Sequence, residues 1–145
     1  MNEELEKILK LWERDSIVDQ TEPGKELLNI PKLHSKYVNL LVEYNLKAKD
    51  YDFAYKRIKK IKWEYYTGKL SEEDLEKFKL EPFPFTLKSD ISIYLESDKD
   101  IIKSLKEKAQ YDECVRVLED ILKELKSRTF QLRDYIAWER FIGGQ

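Results

Sequence analysis

The sequence predicts a mainly α protein: long amphipathic helices, a C-terminal heptad-containing oligomerisation helix and a small β element around 85–95. Three observations lead there. Four glycines and four prolines in 145 residues leave few points at which a helix must stop. Charged residues make up 39% of the chain, above the roughly 25% of an average domain, and long helices with solvated outer faces accommodate that excess. Apolar residues recur at steps of three and four over most of the length.

Taken in order, Leu5, Ile8, Leu9 and Trp12 place a short amphipathic helix over residues 2–13. A connector follows from Asp15 to Gly24 and ends in Pro23–Gly24. Helix resumes near Glu26, and Pro31 starts or kinks the next element. From Pro31 to about Thr67 one stripe runs unbroken through Leu33, Tyr37, Leu40, Tyr44, Ala48, Tyr51, Tyr55, Ile58, Ile61 and Tyr65. Gly68 ends it as a C′ residue. At about 1.5 Å per residue that helix is roughly 50 Å long, so part of it projects or packs on another subunit.

A short helix is expected over Ser71–Lys79, with Ser71 and Asp74 as a capping box. Pro82 and Pro84 make LEPFPF an extended connector. Ile91, Ile93 and Leu95 alternate with more polar residues, which places the β element. Ser97 and Asp100 form a second capping box that opens the last helix, Asp98 to about Phe141. Within it Tyr111, Val115, Leu118, Leu122, Leu125, Thr129, Leu132 and Ile136 step by four and three, a heptad seam. Such a seam usually packs inside its own chain. Here it is long and few other helices can cover it, so Val115, Leu118, Leu122, Leu125, Leu132 and Ile136 are the candidate oligomerisation residues. The division expected is an N-terminal helical region over 1–96 and an oligomerisation helix over 97–145.

Charge is more informative in its distribution than in its net of −2. Residues 44–69 carry eight basic and three acidic side chains, whereas residues 70–100 carry four basic and nine acidic. In the basic band, YDFAYKRIKKIKWEYYTGK at 51–69, cations alternate with rings. Cations neutralise phosphates and rings stack on unpaired bases, so the candidate nucleic-acid residues are Lys56, Arg57, Lys59, Lys60, Lys62, Trp63 and Tyr66. On a helical wheel Lys56, Lys60 and Trp63 share the outward side, while Lys62 lies nearer the apolar stripe. Three other uses of the band remain open at this point. It is a solvated face with lysines lying over rings, a membrane-surface helix, or the basic helix of a coiled-coil oligomeric adaptor that binds an acidic protein partner. Trp63 on the lysine side weakens the membrane option.

Catalysis finds few groups. His34 is the one histidine and has no cysteine or carboxylate at ligand spacing. Cys114, the one cysteine, sits among apolar helix positions and reads as a small buried hydrophobe. It excludes an intrachain disulfide. Asp98 and Asp100 flank a helix start, where carboxylates serve as caps. No glycine-rich phosphate loop is present, and the run Glu72, Glu73, Asp74, Glu76 reads as a solvated first turn rather than a magnesium cluster. No enzyme activity, cofactor or metal is expected. No apolar run approaches the roughly 20 residues of a membrane span, and MNEELEKIL resembles no targeting signal, so a soluble intracellular protein is expected.

Four segments resemble the UvsY family of phage recombination mediators: LHSKY at 33–37, KIKWEYYTG at 60–68, SDKDIIK at 97–103 and LKSRTF at 125–130. The resemblance spans about Asp15 to Phe141. It implies a non-enzymatic protein that binds single-stranded DNA and helps load a RecA-like recombinase onto DNA coated by single-strand-binding protein, in homologous recombination and repair. It implies contact with both of those proteins, a ring-like homo-oligomer (heptameric in the best-known member), no membrane, and the cytoplasm of an infected host. The family's basic-x-basic pair falls on Lys60 and Lys62. Lys62 stands where arginine can occur and lacks its two-pronged fork. Residues 70–95 are longer and richer in proline than the family pattern, and nothing is carried over there.

Overall fold

The computed structural model describes residues 2–84 and 87–144. It contains α1 (Glu3–Asp15), α2 (Pro23–Tyr66), α3 (Glu72–Lys77), a 3-10 turn (Lys88–Asp90), α4 (Ile91–Ser97) and α5 (Lys99–Ile142). Two compact units are formed. One holds the described residues up to Lys47 and from Gln110 onward, the other Ala48–Ala109. Both long helices supply residues to each unit.

Local chemistry accounts for most helix ends. Asn2 Oδ1 accepts the Leu5 N–H at 2.8 Å and caps α1, whose first turn is acidic. Asp19 Oδ1 accepts from the Thr21 N–H at 2.9 Å, a side-chain turn that reverses the connector. Pro23 then occupies the first position of α2, where its missing N–H costs nothing. No new element starts at Pro31, since α2 is continuous through it. Proline inside a helix forfeits one hydrogen bond, about 3 kcal/mol. Ile30 and Leu33 on either side are buried, and their packing offsets that loss.

At the other end Gly68 adopts φ +73°. Lys69 N–H reaches Glu64 O at 2.8 Å and Gly68 N–H reaches Tyr65 O at 3.2 Å, the Schellman pattern expected of a C′ glycine. Ser71 Oγ caps α3 by accepting the Asp74 N–H at 3.1 Å. Residues 80–84 form no regular element, as the two prolines require.

Two expectations are corrected. The small β element placed around 85–95 is absent over 87–95, which form the 3-10 turn and the start of α4; Phe85 and Thr86 lie outside the described residues. The alternation of Ile91, Ile93 and Leu95 is overridden because Ile91 and Leu95, one helical turn apart, both face inward while Ile93 is exposed. The cap of α5 is Asp98, not Ser97. Asp98 Oδ1 accepts from the N–H groups of Asp100 and Ile101, at 2.9 and 3.1 Å. Ser97 Oγ instead donates back to Ile93 O at 2.8 Å and closes α4.

In the first unit α1, the first half of α2 and the second half of α5 enclose Ile8, Leu33, Tyr37, Tyr44, Cys114, Leu118, Ile121 and Leu125. The intrachain cover for the α5 seam is therefore supplied by α1 and α2. The buried row on α5 is Cys114, Leu118, Ile121, Leu125, Arg128 and Leu132. Val115, Leu122, Thr129 and Ile136 form a half-buried flank at seven-residue spacing. Arg128 donates to Asp15 O and Ser16 O, both at 3.0 Å, and covers the Trp12 ring at 5.3 Å. It thereby satisfies carbonyls that the end of α1 leaves open. Tyr37 OH donates to Asp15 Oδ2 at 2.8 Å, beside Lys36 Nζ at 2.7 Å.

Candidate nucleic-acid interface

The second half of α2 divides its basic residues by direction. Lys49, Phe53, Lys56, Lys60 and Trp63 are all exposed and fall at steps of three and four, one stripe along the helix, with exposed Arg57 beside it. Phe53 and Trp63 place a ring at two points among these cations. Lys59 is exposed beside it, with Nζ 5.8 Å from the Tyr55 ring. Lys56 pairs with Asp52 at 3.0 Å and Lys60 with Glu64 at 3.9 Å, each one turn apart. The lysine side chains remain 65% and 76% exposed, so these pairs are worth about 0–1 kcal/mol and yield readily to a phosphate.

Lys62 is held differently. Only 8% of it is exposed, and its Nζ lies 2.8 Å from Asp100 Oδ2 and 3.3 Å from Asp98 Oδ2. Tyr66 OH, one turn along α2, donates to the same Asp98 Oδ2 at 2.5 Å. The other Asp98 oxygen caps α5, so one carboxylate ties the ends of two helices together. Tyr66 is also packed among rings: Tyr94 stacks on it at 5.7 Å, and Phe83 meets it edge-on at 4.8 Å. Lys60 and Lys62 therefore point to opposite sides of α2, one to solvent and one into the unit, because two residues turn the helix by about 200°. Of the sequence-predicted residues, Lys56, Arg57, Lys59, Lys60 and Trp63 come together on the exposed side, and Lys62 and Tyr66 join the inner node.

The node sets ionisation. Burial pulls the Asp98 carboxyl upward, but hydrogen bonds from Tyr66 and the Ile101 N–H, with the Lys62 charge, hold it below its ordinary 3.8. Burial pulls the Lys62 ammonium downward, and the Asp100 and Asp98 carboxylates outweigh this to hold it above 10.5. Burial and the Asp98 contact both raise Tyr66. A depressed carboxyl stabilises the fold above its unfolded pKa, and this is lost as pH falls through the folded value. The raised lysine contributes below 10.5 and is lost as pH rises beyond it. Stability is thus expected to fall below about pH 4 and above about pH 10. Asp98→Asn is expected to flatten the acid limb in thermal melts taken across pH; an unchanged acid limb would show that Asp98 is not coupled to folding.

Phe53 belongs to the exposed stripe and was not among the residues expected there. Its position seven residues before Lys60 carries that signal in the sequence. No group of histidine, cysteine or carboxylate side chains among the described residues is arranged to hold a metal ion, and no helix among them is long and apolar enough to cross a membrane. Cys114 is fully buried, and burial pushes its thiol pKa up.

A family model described as recombination, repair and ssDNA binding protein UvsY matches residues 11–145. The fold is similar to crystal structures of the bacteriophage T4 recombination mediator protein UvsY. Lattice type II gives a TM-score of 0.84 at 21% identity, over 99% of this chain and 98% of that one. Lattice type IV gives 0.82 at 20% identity, over 97% and 99%. Lattice type I gives 0.75 at 22% identity, over 96% and 98%. At such identities the likeness establishes the fold. A search of curated proteins gives no match.

Proposed function

Because the chain belongs to the UvsY family of recombination, repair and single-stranded DNA binding proteins, we propose that it is a non-enzymatic recombination mediator. It binds single-stranded DNA on the outward stripe of α2. It promotes loading of a RecA-like recombinase onto DNA coated by single-strand-binding protein, in the cytoplasm of an infected host. The observation that carries this reading is the stripe itself: exposed cations held only by weak one-turn pairs, interleaved with exposed Phe53 and Trp63. Phosphate contacts of this kind are indifferent to sequence, as a protein acting along any single strand requires.

Lys56, Arg57, Lys59 and Lys60 meet the phosphates, and Trp63 meets bases. Lys62 and Tyr66 act from behind, by fixing α2 to the start of α5. Residues 97–145 carry assembly into a ring. The half-buried flank Val115, Leu122 and Ile136 and the exposed Phe130, Trp138 and Phe141 are the apolar surface that a second copy covers. Repetition of one stripe around a ring turns weak individual contacts into tight binding without new chemistry.

Fluorescence anisotropy with labelled single-stranded DNA over a salt series tests the DNA role. Affinity is expected to fall log-linearly with salt, by about 0.7 per phosphate neutralised, and to vary little between sequences. Oligomers with no affinity for DNA would instead favour a coiled-coil adaptor whose basic helix meets an acidic protein.

A further inference from the structure

At the end of the outward stripe, within the same compact unit, lies a cleft of about 600 Å³. Its walls include Trp63 from α2, Lys69 from the turn after it, Lys88 from the 3-10 turn, and Ile91, Ser92 and Leu95 from α4. The volume is that of a small-molecule site, about 300–1,000 Å³. Ile91 and Leu95 are half-buried and form the apolar part. Trp63 keeps 41% of its surface exposed. The chain reversal at Gly68, with its φ of +73°, brings Lys69 back over that ring, its Nζ 4.4 Å from the centroid. Lys88 is exposed on the opposite element, and neither lysine has an ion pair among the described residues.

We propose that this cleft receives one unstacked base of the bound single strand, with Trp63 as the stacking partner and Lys69 and Lys88 on the flanking phosphates. The proposal rests on the DNA reading above and adds where a base goes. Three features select this occupant. A flat ring beside an apolar wall suits a base, and base–aromatic stacking is tolerant of base identity. Two cations at the rim suit the phosphates on either side of it and would be unneeded for an apolar side chain. The cleft also continues from the exposed stripe through Trp63, so a strand lying along Lys56 and Lys60 arrives at it without leaving the protein. The Ser92 hydroxyl both donates and accepts, so it imposes no strict base code.

The test compares oligo(dT) with an abasic strand of equal length, which keeps the phosphates and removes the bases. The intact chain is expected to prefer oligo(dT) about tenfold. Trp63→Ala is expected to bring the two strands to near parity while keeping the salt dependence of the abasic strand. Ser92→Phe, which fills the cleft from an exposed position on α4 and leaves Trp63 in place, is expected to do the same. Parity in both variants supports the cleft. A preference retained in both overturns it and leaves the phosphate-binding stripe standing. Failure of the intact chain to bind either strand overturns the DNA reading and the cleft together.

Discussion

Placing aspartate at both Leu118 and Leu125 is expected to unfold the first unit rather than merely separate subunits. Both leucines are fully buried within their own chain, among Tyr37, Tyr44, Cys114 and Ile121. A carboxylate placed there has no partner, and each such buried charge costs several kcal/mol after relaxation. Two of them match or exceed the whole stability of a typical domain, about 5–15 kcal/mol. Even Leu118→Ala alone is expected to cost about 2–5 kcal/mol, through lost burial and the cavity left behind. Circular dichroism should show the helical signal lost or the melting point collapsed. A contrasting pair, Phe130→Glu with Trp138→Glu, changes residues that are each 57% exposed and should leave the melt nearly intact while lowering the mass seen in sedimentation. If the Leu118/Leu125 variant stays folded and becomes a monomer, those leucines belong to a subunit interface and the packing described here is wrong.

The second large effect separates two lysines only two positions apart. Lys60→Ala is expected to lower DNA affinity and reduce the salt slope by about 0.7 per subunit contact, with little change in stability, because the Lys60 side chain is itself 76% exposed and its 3.9 Å pair with Glu64 is weak. Lys62→Ala is expected to act mainly on stability. It removes the ammonium between Asp98 and Asp100 and leaves Asp98 buried beside Tyr66. Breaking a buried pair costs about 3–5 kcal/mol. The lower end applies here, because the Asp100 side chain is 60% exposed and Asp98 keeps its backbone N–H donors. A loss of about 3 kcal/mol lowers the melting temperature by roughly 6–12 °C in a chain of this size. Anisotropy and thermal melts on the two variants read both effects. An unchanged melt in Lys62→Ala, together with a salt slope reduced as in Lys60→Ala, would place Lys62 directly on the phosphates.

The two lysines of KIK at 60–62 thus occupy different surroundings. Lys60 faces outward to solvent. Lys62 pairs with the carboxylate that caps the next long helix, so the end of α2 is held against the start of α5. The node Lys62–Asp98–Tyr66 thus supports the stripe it does not enter.

Helix positions were legible because they depend on local chemistry. The stop at Gly68 and the cap at Ser71 each involve residues within about two turns of one another, and the stripe from Leu33 to Tyr65 repeats a spacing of one turn. The errors share a cause. A new element was expected to start at Pro31 because its local cost is visible in sequence, whereas the burial of Ile30 and Leu33 that offsets it is not. Ile91, Ile93 and Leu95 suit a strand by alternation, but the four-residue pair Ile91 and Leu95 suits a helix equally, and packing decided. Ser97 and Asp98 are both good caps, and the choice fell to the side chain that could accept from two N–H groups and from Tyr66 together.

By itself, the sequence determined that this protein is helical, that its cations cluster between residues 44 and 69, and that those cations point in more than one direction from α2. Periodicity and charge order suffice for each. Only the tertiary structure decided which of them stay exposed. Tyr66 and its partner Asp98 are 32 residues apart, and the carboxylates that pair with Lys62 come from the cap and first turn of α5 rather than from its own helix. Likewise Leu118 and Leu125 read as an uncovered seam until α1 and α2 closed over them. A helical wheel gives the direction of a side chain; what waits in that direction depends on the other helices.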